Sequence, residues 1–355
     1  MTFDELGGWT GTLARLVARQ DLTEDHAAAA MAEILAGEAT PAQLAAFVMG
    51  LRTKGETAEE LSGLLRALLD AAVPVELPAD IAARAVDTCG TGGDQSHSIN
   101  VSTLAALVLA GAGVPVCKHG NRAASSACGS ADLLEALGVA LELDGPGVAR
   151  CVVEAGIGFC FAPRFHAALR HAGPTRRELG IPTAFNVLGP LANPARVRRQ
   201  VLGVADPAIA ERMLRVLAGR GAVATLVVHG DDGLDELTTT TTSTMFRLDA
   251  DGQLVRTTID PQQLGLDRAA PEDLLGGDAA CNAGFAGEVL AGEKGPRRDV
   301  VVLNAAAGLV VAGAVDDLAD GIELAGTVLD EGRAADALER LVRVSQQAAS
   351  PASRG

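Results

Sequence analysis

The sequence predicts an α/β protein in two unequal parts: a small all-helical N-terminal unit, then a large α/β unit built on a mostly parallel central sheet. Three observations carry this. Residues 8–72 read as one helix after another, short apolar runs alternate with helical patterns from Ala83 onward, and the interior must be made of small residues. Hydrophobic residues make up 48% and aromatics only 3% of 355 residues, with 41 glycines, so Ala, Val and Leu fill the core between many tight turns.

In the first unit, start signals are explicit. Thr40-Pro41-Ala42-Gln43 combines a cap, a first-turn proline and an N3 glutamine, and Thr57-Ala58-Glu59-Glu60 repeats the capping-box pattern. Gly37 and Gly55 fall where helix C-termini are expected, and Leu44, Phe47, Val48 and Leu51 form one apolar stripe. Val73-Pro74-Val75-Glu76-Leu77-Pro78 cannot continue a helix and marks the crossing. The expected division is 1–75 helical, with a contribution from about 164–185, then 76–345 α/β, then a flexible polar tail over 346–355.

In the second unit, strands are expected near Ala83 to Val86, Val114 to Cys117, Val139 to Leu143, Gly158 to Ala162, Val201 to Val204, Thr225 to Val228 and Val300 to Leu303. Thr238 to Thr242, five consecutive threonines, read as an edge strand.

Charge narrows the function. Lys plus Arg is 29 against Asp plus Glu 45, a net −16, so most of the surface repels nucleic acid and anionic membrane. No basic-then-apolar leader is legible at the N-terminus and no apolar run reaches the ~20 residues of a membrane span. The six cysteines show no C-x-x-C spacing, which favours a reducing cytoplasmic compartment without disulfides or cysteine-bound metal.

Four stretches concentrate chemistry. Val86 to Thr103 runs strand end, glycine turn (Gly90, Gly92, Gly93) and helix start, an order suited to holding phosphate on backbone N–H groups. It matches neither G-x-x-x-x-G-K-[ST] nor G-x-G-x-x-G, and a plain glycine-rich turn fits it equally well. Lys118 to Asp132 collects Lys118, His119, Asn121, Arg122, Ser125, Ser126 and Ser130 after an apolar strand, the donors a sugar phosphate needs; Ser130 also reads as the cap of a helix from Ala131 to Leu137, with Gly138 closing it. Arg164, His166, Arg170, His171, Arg176 and Arg177 form a basic patch whose spacing alone favours a solvated helix face, and the run from Phe185 to Pro194 reads as a structural turn. Asp231, Asp232, Asp235 and Glu236 follow the strand at Thr225 to Val228; they read either as surface carboxylates or as a Mg²⁺ site completed by substrate phosphates. His97, His119 and His229 have no nucleophile placed beside them, so no Ser-His-Asp arrangement is expected.

Together these stretches resemble the anthranilate phosphoribosyltransferases. The resemblance rests on Asp-Thr-Cys-Gly-Thr-Gly-Gly-Asp at 87–94, Asn-Val-Ser-Thr at 100–103, Lys-His-Gly-Asn-Arg at 118–122, Gly-Ser-Ala-Asp at 129–132, Arg-Arg-Glu-Leu-Gly at 176–180, Phe-Asn-Val-Leu-Gly-Pro-Leu-Ala-Asn-Pro at 185–194 and Gly-Leu-Asp-Glu at 233–236. It implies a nucleoside phosphorylase/phosphoribosyltransferase-like fold and transfer of phosphoribosyl from phosphoribosyl pyrophosphate to anthranilate, in tryptophan biosynthesis. It implies that Gly90, Gly93, Asp94, Ser98, Asn100, Val101, Ser102, Thr103, Lys118, His119, Gly120, Asn121, Arg122, Ala123, Ala124, Ser125, Ser126 and Ser130 contact phosphoribosyl pyrophosphate. Gly90, Asn121 and Arg176 match the anthranilate contacts, and Ser102, Asp235 and Glu236 the Mg²⁺ ligands; a homodimer through the helical unit is implied, with neither nucleic acid nor membrane as partner. At His166-Ala167-Ala168-Leu169 the chain departs from the His-Pro-Ala-Met frequent in the family. The rival readings are a pyrimidine nucleoside phosphorylase, disfavoured by the Cys-Gly-Thr-Gly-Gly-Asp loop and the Asp235-Glu236 pair, and a non-enzymatic nucleic-acid-binding relative, disfavoured by the charge of −16.

Overall fold

A computed structural model describes residues 2–123 and 127–350. The first unit holds α1 (Gly8–Val17), α2 (Glu24–Ala36), α3 (Pro41–Lys54) and α4 (Ala58–Asp70). Both expected capping boxes form: Thr40 caps α3 and Thr57 caps α4, each exchanging bonds with its N3 residue. Gly37 and Gly55 close α2 and α3 at φ 81° and 91°, and Leu44, Phe47, Val48 and Leu51 are all buried.

After the short α5 (Ala79–Ala82), β1 (Val86–Gly90), β2 (Val116–Gly120), β3 (Ile157–Phe161), β4 (Arg199–Gly203) and β5 (Ala224–Gly230) run parallel; β6 (Ser243–Leu248) and β7 (Leu254–Ile259) add an antiparallel hairpin. The order is β3-β2-β1-β4-β5-β6-β7. Between them stand α6 (Val101–Gly111), α7 (Ser130–Ala136), α8 (Gly145–Ala155), α9 (Ala162–Phe165), α10 (Gly173–Leu179), α11 (Ala184–Leu191) and α12 (Ala210–Gly219), and after them α13 (Ala279–Leu290), α14 (Pro296–Ala312), α15 (Leu318–Asp330) and α16 (Arg333–Ala349).

Two apolar clusters hold this together. One packs α6, α8, α14 and α16 onto the sheet around Val116, Leu107 and Leu303. The other runs from the helical unit, through Phe47 and Leu65, past Phe185 and Leu188 of α11 and Met213 of α12, to Leu202 and Val227 of the sheet. The α10 segment packs on α3.

Six expectations are corrected. The run from Phe185 to Pro194, expected as a turn, is mostly helix: α11 holds it through Leu191, with Pro190 inside the helix. Val300 to Leu303 lies inside α14: a helix buried on nearly every side carries no polar stripe, so its apolar run imitates a strand. Val139 to Leu143 is not a strand and joins no sheet; Ala140 donates instead to Ser345 Oγ on α16, at 3.1 Å. The threonines at 238–242 form bends before β6, with Thr238 and Thr239 fully buried. Ser130 is not a cap: α7 starts at Ser130 with Gly129 as its N-cap, whose N–H bonds the carboxylate of Asp132. Helix α16 continues past residue 346 to Ala349, tied down where Gln346 donates to the carbonyl of Gly138 and Arg150 to Gln347. Among the described residues, no helix is long and apolar enough to cross a membrane.

Candidate active site

Four neighbouring strands, β2, β1, β4 and β5, each end at a glycine: Gly120, Gly90, Gly203 and Gly230. Parallel sheets present their carboxyl ends to ligands. Here those ends are bare backbone, and the chain after β5 folds down onto them. A Cβ on Gly203 would stand 1.5 Å from the carbonyl oxygen of Asp235, and one on Gly90, its register partner, 2.2 Å from Asp235 Oδ2. Glycine is therefore required at both positions for Asp235 and Glu236 to reach the glycine loop.

There the carboxylates meet the loop directly. Gly92 donates its N–H to Asp235 Oδ2 at 2.7 Å, and Ser102, in the first turn of α6, donates its N–H to Glu236 Oε1 at 3.1 Å. Asp94 accepts from the Asp235 N–H at 3.4 Å and from Ser96 Oγ at 2.7 Å. Burial pushes both acids above the usual carboxylate range, Asp94 adding to the effect on Asp235 and Asp235 to that on Glu236. Asp231 and Asp232 are turned elsewhere. Asp232 accepts hydroxyl bonds from Thr238 and Thr240, and Asp231 from Thr242 and Thr244, which is what the threonine run supplies.

The lysine of this site lies beneath the loop. Lys118 is 2% exposed, and its ammonium donates to the carbonyl of Thr88 and to Ser102 Oγ. A buried joint under it comprises Asp87, which accepts from the His119 N–H and from Asn193 Nδ2, while Asn193 also donates to the carbonyl of Cys117. His119 and His166 stack edge to face at 5.1 Å, bonded to the carbonyls of Gly189 and Ala192. Burial lowers both imidazole pKa values, that of His119 to about 3.

The remaining expected residues divide. Asn100 bonds Asn282 and the carbonyl of Cys128, with Val101 and Thr103 buried behind it. Ser98 accepts from Ser96, and nothing lies within 4 Å of where a Gly93 Cβ would be. Gly120 leaves space for Ser130 Oγ, which donates to the carbonyl of Asn121. Arg122 is turned outward onto Asp132 and Glu135, and Ala123 donates to Asp132. Ala124, Ser125 and Ser126 lie outside the described residues. Arg176, on α10, is half-buried with its guanidinium 5.0 Å from the Phe185 ring centroid. Arg164, Arg170, His171 and Arg177 are exposed, the solvated face expected of them. Asp87, Phe185 and Asn193 stand in the runs at 87–94 and 185–194 without a role being expected of them, and Gly203, inside the expected strand Val201 to Val204, belongs to no motif.

The metal expectation fits this donor set. Three carboxylates, of Asp94, Asp235 and Glu236, crowd a pocket whose buried cation is Lys118, leaving negative charge for a dication to offset. Among the described residues no three His, Cys, Asp or Glu side chains are grouped so that they could hold a metal ion by themselves; Mg²⁺ takes one or two carboxylates and completes its shell with water and phosphate.

A helical bundle on a parallel sheet, with an acidic pair folded onto a glycine loop, defines an enzyme of glycosyl transfer. The chain matches the models of the glycosyl transferase family over both parts, the helical bundle domain at 1–72 and the a/b domain at 82–335. It belongs to that family and, within it, to the anthranilate phosphoribosyltransferases. Relatives of that name from Chloroflexus aggregans and Thermomicrobium roseum are 52% and 54% identical, over 94% and 93% of this chain and 97% and 94% of theirs. The crystal structure of the Thermus thermophilus enzyme superposes with a TM-score of 0.88 at 42% identity, covering 94% of this chain and 99% of that one. The Saccharomyces cerevisiae enzyme in complex with PRPP and Mg gives 0.87 at 26%, covering 96% and 98%.

Proposed function

We propose that this protein transfers the phosphoribosyl group of 5-phosphoribosyl 1-pyrophosphate to the amine of anthranilate, releasing pyrophosphate and forming N-(5-phosphoribosyl)anthranilate in tryptophan biosynthesis. The observation that carries the reading is the seating of Asp235 and Glu236 on Gly90, Gly203 and the first turn of α6. Ser102, Asp235 and Glu236 hold Mg²⁺, which supplies positive charge against the departing pyrophosphate.

The protein's own groups do the rest. N–H groups of the loop around Gly92 and Gly93 and of the α6 first turn bind phosphate oxygens. Lys118 keeps that loop shaped from below and adds charge. Arg176 forks onto the anthranilate carboxylate, and Asn121 borders the acceptor. An aromatic amine is neutral at pH 7, so its nitrogen bonds ribose carbon 1 as the carbon–oxygen bond to pyrophosphate breaks, and its proton leaves afterward. No base is needed at the nitrogen; alignment and charge lower the barrier.

The same reading divides the chain at 75/76, supported by the matches at 1–72 and 82–335, adds about 164–185 to the helical unit, supported by the packing of α10 on α3, and takes the protein as a cytoplasmic homodimer through the helical unit, supported by Val17 of α1, an apolar side chain 86% exposed. Incubation with phosphoribosyl pyrophosphate, Mg²⁺ and anthranilate tests the activity: anthranilate fluorescence should decay. No decay, with turnover of a nucleoside plus phosphate instead, overturns it.

A further inference from the structure

Arg176 differs from Lys54 and Arg298, two partly buried cations that are ion-paired. Lys54 pairs with Asp21 and Glu60, and Arg298 with Asp330. Arg176 is half-buried, yet among the described residues no carboxylate pairs with it. Burial alone lowers its pKa, with no counter-charge opposing the shift. What faces it is the Phe185 ring, its centroid 5.0 Å from the guanidinium carbon.

That ring is firmly held. Phe185 is 7% exposed in the second residue of α11, packed in the cluster that includes Ala172, Leu188 and Leu191. Gly180 at φ 63° closes α10, and the chain beyond it brings Phe185 of α11 to Arg176. An aromatic face steadies a cation without occupying its N–H donors. A carboxylate partner would use up the fork; Arg122, also near a ring, shows the alternative, its donors consumed by Asp132 and Glu135.

We infer that Phe185 is a positioning residue for the acceptor: its ring holds the Arg176 guanidinium in place and leaves the planar fork free for the substrate carboxylate. This rests on the assignment of Arg176 to anthranilate above.

A double-mutant cycle on the full-length enzyme tests it. Phe185→Leu keeps apolar bulk and removes the ring; it should raise KM for anthranilate about five-fold, leaving kcat and the KM for phosphoribosyl pyrophosphate within about two-fold, and Phe185→Tyr should restore the parent value. In an Arg176→Ala background, Phe185→Leu should change nothing further. If the leucine variant does not fold, pentafluorophenylalanine at 185 keeps the ring's outline with its charge distribution reversed and should raise KM likewise. An unchanged KM in ring-altered variants, failure of tyrosine to rescue, or an equal rise in the Arg176→Ala background overturns the inference while the acceptor assignment stands. An Arg176→Ala single variant with parental KM overturns both.

Discussion

The carbonyl oxygen of Asp235 occupies the space in which a side chain on Gly203 would begin, 1.5 Å from the Cβ position. The contact is backbone to backbone, so no rotamer change relieves it. Gly203→Ala must displace the Asp235-Glu236 segment or β4, at a cost of about 3 kcal/mol or more. Urea unfolding should show that loss together with a collapse of turnover; a variant with parental stability and activity would mean that the segment sits elsewhere in solution.

Arg176→Ala should raise KM for anthranilate about 10- to 100-fold, the worth of a charge-assisted bidentate clamp, with kcat far less affected. Steady-state kinetics with each substrate varied in turn separates this from general damage, since KM for phosphoribosyl pyrophosphate should hold.

Asp235→Asn combined with Glu236→Gln removes two carboxylates that burial already disfavours as anions. The double variant should lose kcat/KM by at least about 100-fold at any Mg²⁺ concentration while melting above the parent, because the buried like charges are gone. Activity preserved across a Mg²⁺ titration would exclude these residues as metal ligands.

His119 and His166 make stability depend on pH. Their pKa values are lowered in the folded protein, to about 3 for His119, against about 6.5 in the unfolded chain. The unfolded state therefore binds more protons below pH 6.5, and stability present above that value is lost as the pH falls toward the folded pKa. Between pH 7.5 and 5.5 the loss from His119 alone is about 1.4 kcal/mol. His119→Gln should remove that share of the slope when urea midpoints are compared at the two pH values; identical slopes would show that the ring is protonated in the fold.

What could be read before the fold was known follows the range of each interaction. The boxes at Thr40 and Thr57 close within three residues, so they are written locally. Val300 to Leu303 misleads because burial on all sides erases the periodicity that separates helix from strand. The β6–β7 hairpin escaped notice although Asp249 caps its turn through the N–H groups of Asp251 and Gln253; its strands carry Arg247 and Arg256 among threonines and lack an apolar run. In the site, Gly90, Asp235 and Glu236 stand in recognisable runs. The need for glycine at 203 arises only where β4 meets a segment beyond β5, and the part of Phe185 only where its ring meets Arg176.

Because β1, β2, β4 and β5 all stop at glycine, the base of the site is set by close approach: Asp235 fills the space over Gly90 and Gly203, and Ser130 that over Gly120. Such a floor is indifferent to which acceptor arrives above it, so substrate preference can drift in the walls while the phosphate-handling base is inherited unchanged. Libraries that vary 167–169 and spare residues 90, 120, 203 and 230 are accordingly the economical route to other aromatic amines.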